Sequence, residues 1–277
     1  MRKTGLILLS LLVVVLVFSV PAFAHFQLIY TEESALEKGE EVDLKLVFTH
    51  PFEAGHTMDM GMPLEFGVVH KEKKKDLRSK LTPIMFESLT NKGKAYEASY
   101  KLRGMGDYIF YVIPEPYYEG SEDIYIQQIT KVILNVAGAP TDWDAEIELP
   151  VEIVPLDKPY GLWAGNVFRG IVKVNGKPVP YCEIEVEYLN HDIVGNKFSK
   201  TEKVEAPQDA FVTLTIKANK DGEFTFGIPC AGWWGFAALG AGGDLTYEGK
   251  ELSQDAVIWV QAKEMKKFFG QIQNERE

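Results

Sequence analysis

The chain has 277 residues, with 40 acidic residues against 29 basic ones and a formal charge of −11. That balance speaks against nucleic acid and anionic lipid as partners, because both are bound through a basic face. Two cysteines permit one disulfide at most.

In chain order, the first element is an export signal over residues 1–24. Arg2 and Lys3 form a positive start, "GLILLSLLVVVLVFSV" an apolar core, and "AFA" a small-x-small ending that directs cleavage after Ala24. The apolar stretch is almost long enough to anchor the chain in a bilayer uncleaved. The Pro21 break and the Ala-Phe-Ala ending favour cleavage, and no Cys follows that would suit a lipid anchor. The expectation is a periplasmic or otherwise exported soluble protein of about 250 residues, enough for two modest domains or one large one.

Beyond Ala24 the pattern is of period two. "VDLKLVF" sets Val42, Leu44, Leu46 and Phe48 on one face with Asp43 and Lys45 opposite. "AYEASYKL", "DYIFYVI", "ITKVILNV" and "AEIELPVEIV" read as further strands, parted by Gly, Pro, Asn and Asp clusters. "LDKPYGLWAGN" after Pro155 reads as a domain boundary. "VFRGIVKV" and "KPVPYCEIEVEYL" flank an Asn-Gly turn signal, and "FVTLTIKA", "FTFGIP" and "AVIWVQA" follow as strands. The expectation is an all-β protein of two tandem β-sandwiches, immunoglobulin-like or transthyretin-like, over residues 25–155 and 160–261, with a charged tail at 262–277. Cys182 and Cys230 each share strand parity with apolar neighbours, which is compatible with a disulfide between strands and equally with two buried thiols.

The densest polar cluster is "FTHPFEAGHTMDMGMPLEFGVVH", which holds His50, His56 and His70 of the five histidines, with Met58, Met60 and Met62. On an extended segment the alternating thioethers point the same way. Imidazole suits nickel, copper, cobalt and zinc, and thioether adds a preference for copper. Alternating Met is also common core filler, and loop histidines are often only solvated. His25 changes the balance. Cleavage after Ala24 gives it an α-amine with a pKa near 8 beside its own ring, a ready chelate. One imidazole from His50 or His56 completes a three-nitrogen histidine brace of the tetragonal kind that Ni(II) and Cu(II) accept.

His70 reads as exposed before the solvated run "KEKKKD", and His191 as a loop residue apart from the site. Glu53 and Asp59 read as solvated, with an outer role in orienting an imidazole as the alternative. No "GxSxG", "HExxH" or phosphate-binding glycine loop is present, and "GAGG" from Gly240 reads as a turn. The aromatic runs "PEPYYEG" and "GWWGFAAL" suit packing between sheets better than a carbohydrate platform.

The order of "AH", "HPFEAGHTMDMGMP", "PYYEGSEDIYIQQITKV", "GNVFRGIVKVNGKPVPYCEIEVEYLN" and "DGEFTFGIPCAGWWGFAAL" resembles a bacterial periplasmic family associated with nickel uptake, with NikM-like or NikK-like nickel transport components as members. The resemblance covers nearly all of the chain beyond Ala24. It implies a secreted, non-enzymatic protein that captures nickel, or cobalt, and passes it to an energy-coupling-factor type importer, with His25, His50 and His56 as the matching ligands and Met58 and Met60 nearby. Gln128 in "YIQQITKV" stands where the resemblance leads one to expect a histidine. A periplasmic copper carrier and a histidine-brace copper oxidase or monooxygenase are the alternatives from the chemistry of the residues.

Overall fold

The computed structural model describes residues 25–265; the expected export signal over 1–24 and the tail beyond Met265 lie outside the described residues. Within them the protein is all-β, and two short 3-10 turns are the helical elements. No described helix is long and apolar enough to cross a membrane.

Three of the four sheets among the described residues stack in layers, and the fourth is the small pair His191–Ile193 with Phe198–Glu202. The front sheet runs in the order Phe26–Tyr30, Glu41–Thr49, Lys92–Lys101, Thr82–Glu87, and the short Thr57–Met58 strand pairs with Glu41–Thr49. The central sheet runs Leu214–Lys217, Glu183–Tyr188, Gly232–Ala238, Lys250–Lys263, Ile124–Val136, Gly106–Ile113, Glu65–His70, Lys73–Asp76. The rear sheet is built from Val151–Pro155, Val167–Val174, Lys177–Pro178 and Glu223–Gly227.

Alternation along the central strands sends successive residues to opposite cores. From Ile124–Val136, Val132, Leu134 and Val136 join the front core, while Ile129 and Ile133 join the rear core. From Lys250–Lys263, Val257 and Trp259 go forward, and Ile258 and Val260 go back. A strand apolar on both faces cannot be exposed on either, so it becomes the shared middle layer of two sandwiches.

The segments 25–155 and 160–261 are therefore joined along one sheet rather than standing as self-contained sandwiches. Their seam is parallel: Tyr125–Val132 pairs in register with Leu252–Trp259. The Pro- and Gly-rich stretch after Pro155 carries the chain from the rear sheet towards the Val167–Val174 strand.

Most of the strand expectations match the structure. The face of Val42, Leu44, Leu46 and Phe48 is buried in the front core. Asn175 and Gly176 both take positive φ, 47° and 74°, as a two-residue primed hairpin turn requires. "GAGG" is a turn, closed by Gly243 N–H donating to Gly240 O at 2.9 Å.

Two expectations are corrected, one is extended and one open alternative is decided. Only Val151–Pro155 of "AEIELPVEIV" is strand. The charge run "KEKKKD" supplies an edge strand, Lys73–Asp76, whose exposed lysines suit an unpaired sheet margin. His191 begins a short strand and is buried, with its Nδ1 2.9 Å from Ser199 O. Cys182 and Cys230 are both free thiols. Cys182 Sγ lies 3.4 Å from Leu239 O, past one end of the Gly232–Ala238 strand, and Cys230 precedes the other end. Seven strand residues hold the two roughly 20 Å apart, whereas a disulfide needs Cα atoms about 4.4–6.8 Å apart.

Candidate functional site

The antiparallel ladder places three histidines in one row. Phe26 pairs with Thr49 across the first two front strands, so His25 falls opposite His50. Thr49 pairs with Thr57 on the other side, so His50 falls opposite His56. His50 N–H donates to His56 O at 3.3 Å, extending that ladder by one residue, and Thr49 Oγ1 donates to the same oxygen at 2.7 Å. Neighbouring strands are about 4.8 Å apart, and the His25 and His50 rings sit at a centroid distance of 4.7 Å.

The loop between His50 and His56 is held by the second half of the chain. Phe52 N–H donates to Glu187 Oε2 at 3.3 Å, and Asn190 N–H donates to Pro51 O at 3.3 Å. Ala54 takes a φ of 50°, which lets the loop turn back within six residues. Asn91 Nδ2 lies 3.3 Å from His56 Nε2 and fixes the outer ring of the row.

Glu119 completes the cluster. Its Oε2 is 3.2 Å from His25 Nε2, and its Oε1 accepts from the Ser121 N–H at 2.9 Å and the Ser121 hydroxyl at 2.6 Å. Phe48 and Tyr117 pack beside His25, with ring centroids 5.6 and 6.4 Å away. Gln128, where the family resemblance led one to expect a histidine, donates from Nε2 to His25 O at 2.6 Å and accepts from Gln27 N–H at 2.8 Å.

Burial lowers the His25 pKa, and the attraction of Glu119 only partly offsets it. His50 is lowered further, to about 4, by burial and then by repulsion from His25 and His56. Burial raises the Glu119 pKa, but the Ser121 hydrogen bonds and His25 outweigh it, so the net direction is down. These directions favour an ionised Glu119 beside neutral His25 and His50 rings, the protonation state in which imidazole nitrogen can bind a metal.

Of the expected residues, His25, His50 and His56 come together. Met58 does not join them: it packs in the front core at 2% exposure. Met60 is buried and lines a cavity of about 220 Å³ with Phe48, Tyr117, Gln27 and Gln128. Glu53 is half-buried, and Asp59 Oδ1 accepts from Lys94 N–H at 2.6 Å. His70 stands apart, stacked on Tyr108 at 3.9 Å.

Among the described residues no three His, Cys, Asp or Glu side chains already converge on one ion. Three neighbouring imidazoles and a carboxylate still have the donor chemistry for a transition metal. The fourth nitrogen, the α-amine of His25, exists only once the bond to Ala24 is cut. Glu119 is the residue that sequence reasoning missed, and Gln128 was visible there only as a departure from the resemblance, not as a support of the first strand. "PYYEG" showed its aromatics, but nothing local indicated that its Glu would meet a residue 94 positions earlier.

The signature of the family described as "Domain of unknown function (DUF4198)" matches residues 22–242. No curated protein matches the chain. Among solved structures, the adhesin InvE of Yersinia pseudotuberculosis is similar at 14% identity and a TM-score of 0.23, over 84% of this chain and 58% of its own. The D0-D1 domain of intimin is similar at 12% identity and a TM-score of 0.21, over 84% of this chain and 96% of its own. Dimeric latent PorU from Porphyromonas gingivalis shares 9% identity at a TM-score of 0.21, over 86% of this chain and 20% of its own. Likenesses at these scores carry no argument about function.

Proposed function

We propose that this chain, which belongs to the DUF4198 family, is an exported protein that captures nickel or cobalt and passes it to a membrane importer. The ion is held by the α-amine and ring of His25 with the imidazoles of His50 and His56. The observation that carries this is the row of three histidines at one level of three adjacent strands, two of them with lowered pKa values. A tetragonal nitrogen set of this kind suits Ni(II). The resemblance to periplasmic nickel-uptake components supports the same cargo, and supports an energy-coupling-factor type importer as the recipient. The reading assigns binding and hand-over, not catalysis.

Copper carriage is the second reading, favoured by one observation: Met60 lines a cavity walled also by Phe48, Tyr117 and Gln128, each of which meets His25. Affinities for Ni(II), Co(II), Cu(I) and Cu(II) measured under matched conditions separate the two.

The decisive experiment compares the chain beginning at His25 with one that carries an extra Ala before it. The added residue turns the amine into a peptide nitrogen and leaves every side chain in place. Ni(II) affinity is expected to fall at least about tenfold, or 1.4 kcal/mol. Equal affinity in the two chains overturns the proposal.

A further inference from the structure

Resting on the metal-capture reading, we infer that Glu119 and Gln128 are positioning residues for His25. Glu119 holds the ring in its Nε2–H tautomer, so that Nδ1 and the α-amine form the chelate, and Gln128 fixes the backbone that carries both donors.

The division of labour at Glu119 is visible in its two oxygens. Oε1 is taken by both donors of Ser121, and Oε2 is left to His25 Nε2 at 3.2 Å. An ionised carboxylate only accepts, so the ring nitrogen facing it carries the proton. In a neutral imidazole the lone pair is then at Nδ1. Nδ1 is also the nitrogen that suits the chelate. Cα, Cβ and Cγ separate it from the α-amine, so a metal bound to both closes a six-membered ring. A carboxylate behind a ligating imidazole also raises its basicity and fixes its orientation.

Gln128 acts on the main chain. Its amide meets two polar groups of the first strand, the His25 carbonyl at 2.6 Å and the Gln27 N–H at 2.8 Å, as a neighbouring strand would. It is buried, and Asp255 Oδ2 accepts from its Nε2 at 3.3 Å. Gln27 O is held in turn by Trp259 Nε1 at 3.0 Å. The first residues of the strand are therefore pinned before any metal arrives, which lowers the ordering cost of binding.

The test uses the full chain beginning at His25, labelled with ¹⁵N-histidine, as wild type, E119A, E119Q and Q128L. Long-range ¹H–¹⁵N correlation of the metal-free protein reads the His25 tautomer, assigned by the signals lost in H25Q. Competition with a chromophoric chelator reads Ni(II) affinity. Wild type is expected to show the proton on Nε2. E119A is expected to show mixed tautomers and an affinity about 10–100-fold lower. E119Q has a single acceptor oxygen, which the Ser121 N–H claims, so its NH2 faces His25 Nε2. The proton should then move to Nδ1, and affinity should fall as in E119A. Q128L should keep the tautomer and still lose affinity about tenfold. An E119A chain with an unchanged tautomer, or with wild-type affinity, overturns the role of Glu119, and wild-type affinity in Q128L overturns that of Gln128. If wild type binds no nickel, the capture reading fails on its own, and the tautomer in E119A still decides whether Glu119 sets the ring.

Discussion

Replacing Glu187 with Gln should stabilise the protein, and more so the higher the pH. Glu187 is 2% exposed on the Glu183–Tyr188 strand, where burial pushes its carboxyl up from 4.5 to about 8. Thr213 and Phe52 donate to it and pull the other way without prevailing. In the unfolded chain the same group ionises at its ordinary value. Between pH 4.5 and about 8 the folded state therefore binds more protons than the unfolded state, and stability falls as pH rises. Each pKa unit is worth about 1.4 kcal/mol. The penalty is near zero below pH 4.5, about 3 kcal/mol at pH 7, and about 5 kcal/mol from pH 8 upward. Gln has the same shape, can accept from Phe52 N–H and can donate to Thr213, and it carries no charge at any of these pH values. Urea unfolding of both proteins at pH 5, 7 and 8 measures the difference. The E187Q advantage should grow by roughly 2–3 kcal/mol between pH 5 and 7. An advantage that stays constant, or a Gln variant that is less stable at pH 8, would show that the carboxylate is ionised in the folded protein.

The ion pair of Lys131 and Glu152 is sealed between the central and rear sheets, with both side chains at 2% exposure or less and a 2.8 Å contact. K131M should cost about 3–5 kcal/mol by leaving a buried carboxylate unpaired, whereas K131M combined with E152L should lie near wild type or above it in chemical unfolding. Reducing the protein should leave its intact mass unchanged, and denatured, unreduced protein should react at both Cys182 and Cys230 with a thiol reagent, because seven strand residues hold them apart.

The period-two pattern of Glu41–Thr49 was readable because Val42, Leu44, Leu46 and Phe48 bury one face while Glu41, Asp43 and Lys45 stay outside the core. The layering was not. The parallel pairing of Tyr125–Val132 with Leu252–Trp259 joins segments 127 residues apart and leaves no turn signature between them. "ITKVILNV" and "AVIWVQA" did carry one clue, since a strand apolar at consecutive positions is covered on both faces. Cysteine parity correctly reported a core-facing side for Cys182, but parity says nothing of position along a strand, and that decided against a bridge. The alternation of Met58 and Met60 was equally silent about depth. His25, His50 and His56 could be chosen by chemistry, while their alignment follows from two ladder registers that only the pairing of strands reveals.

The parallel seam also sets a timetable. Gln128 and Asp255, which steady the start of the first strand, sit side by side across that seam, and Trp259 grips Gln27 from the same late strand. A chain delivered amino end first exposes His25, His50 and His56 well before residues 250–263 emerge. Until they do, the first strand lacks half of its supports. On the capture reading, metal retention at this site would report that the chain has been completed to its last strand, and a molecule cut short upstream of Lys250 would hold its histidines without holding them still.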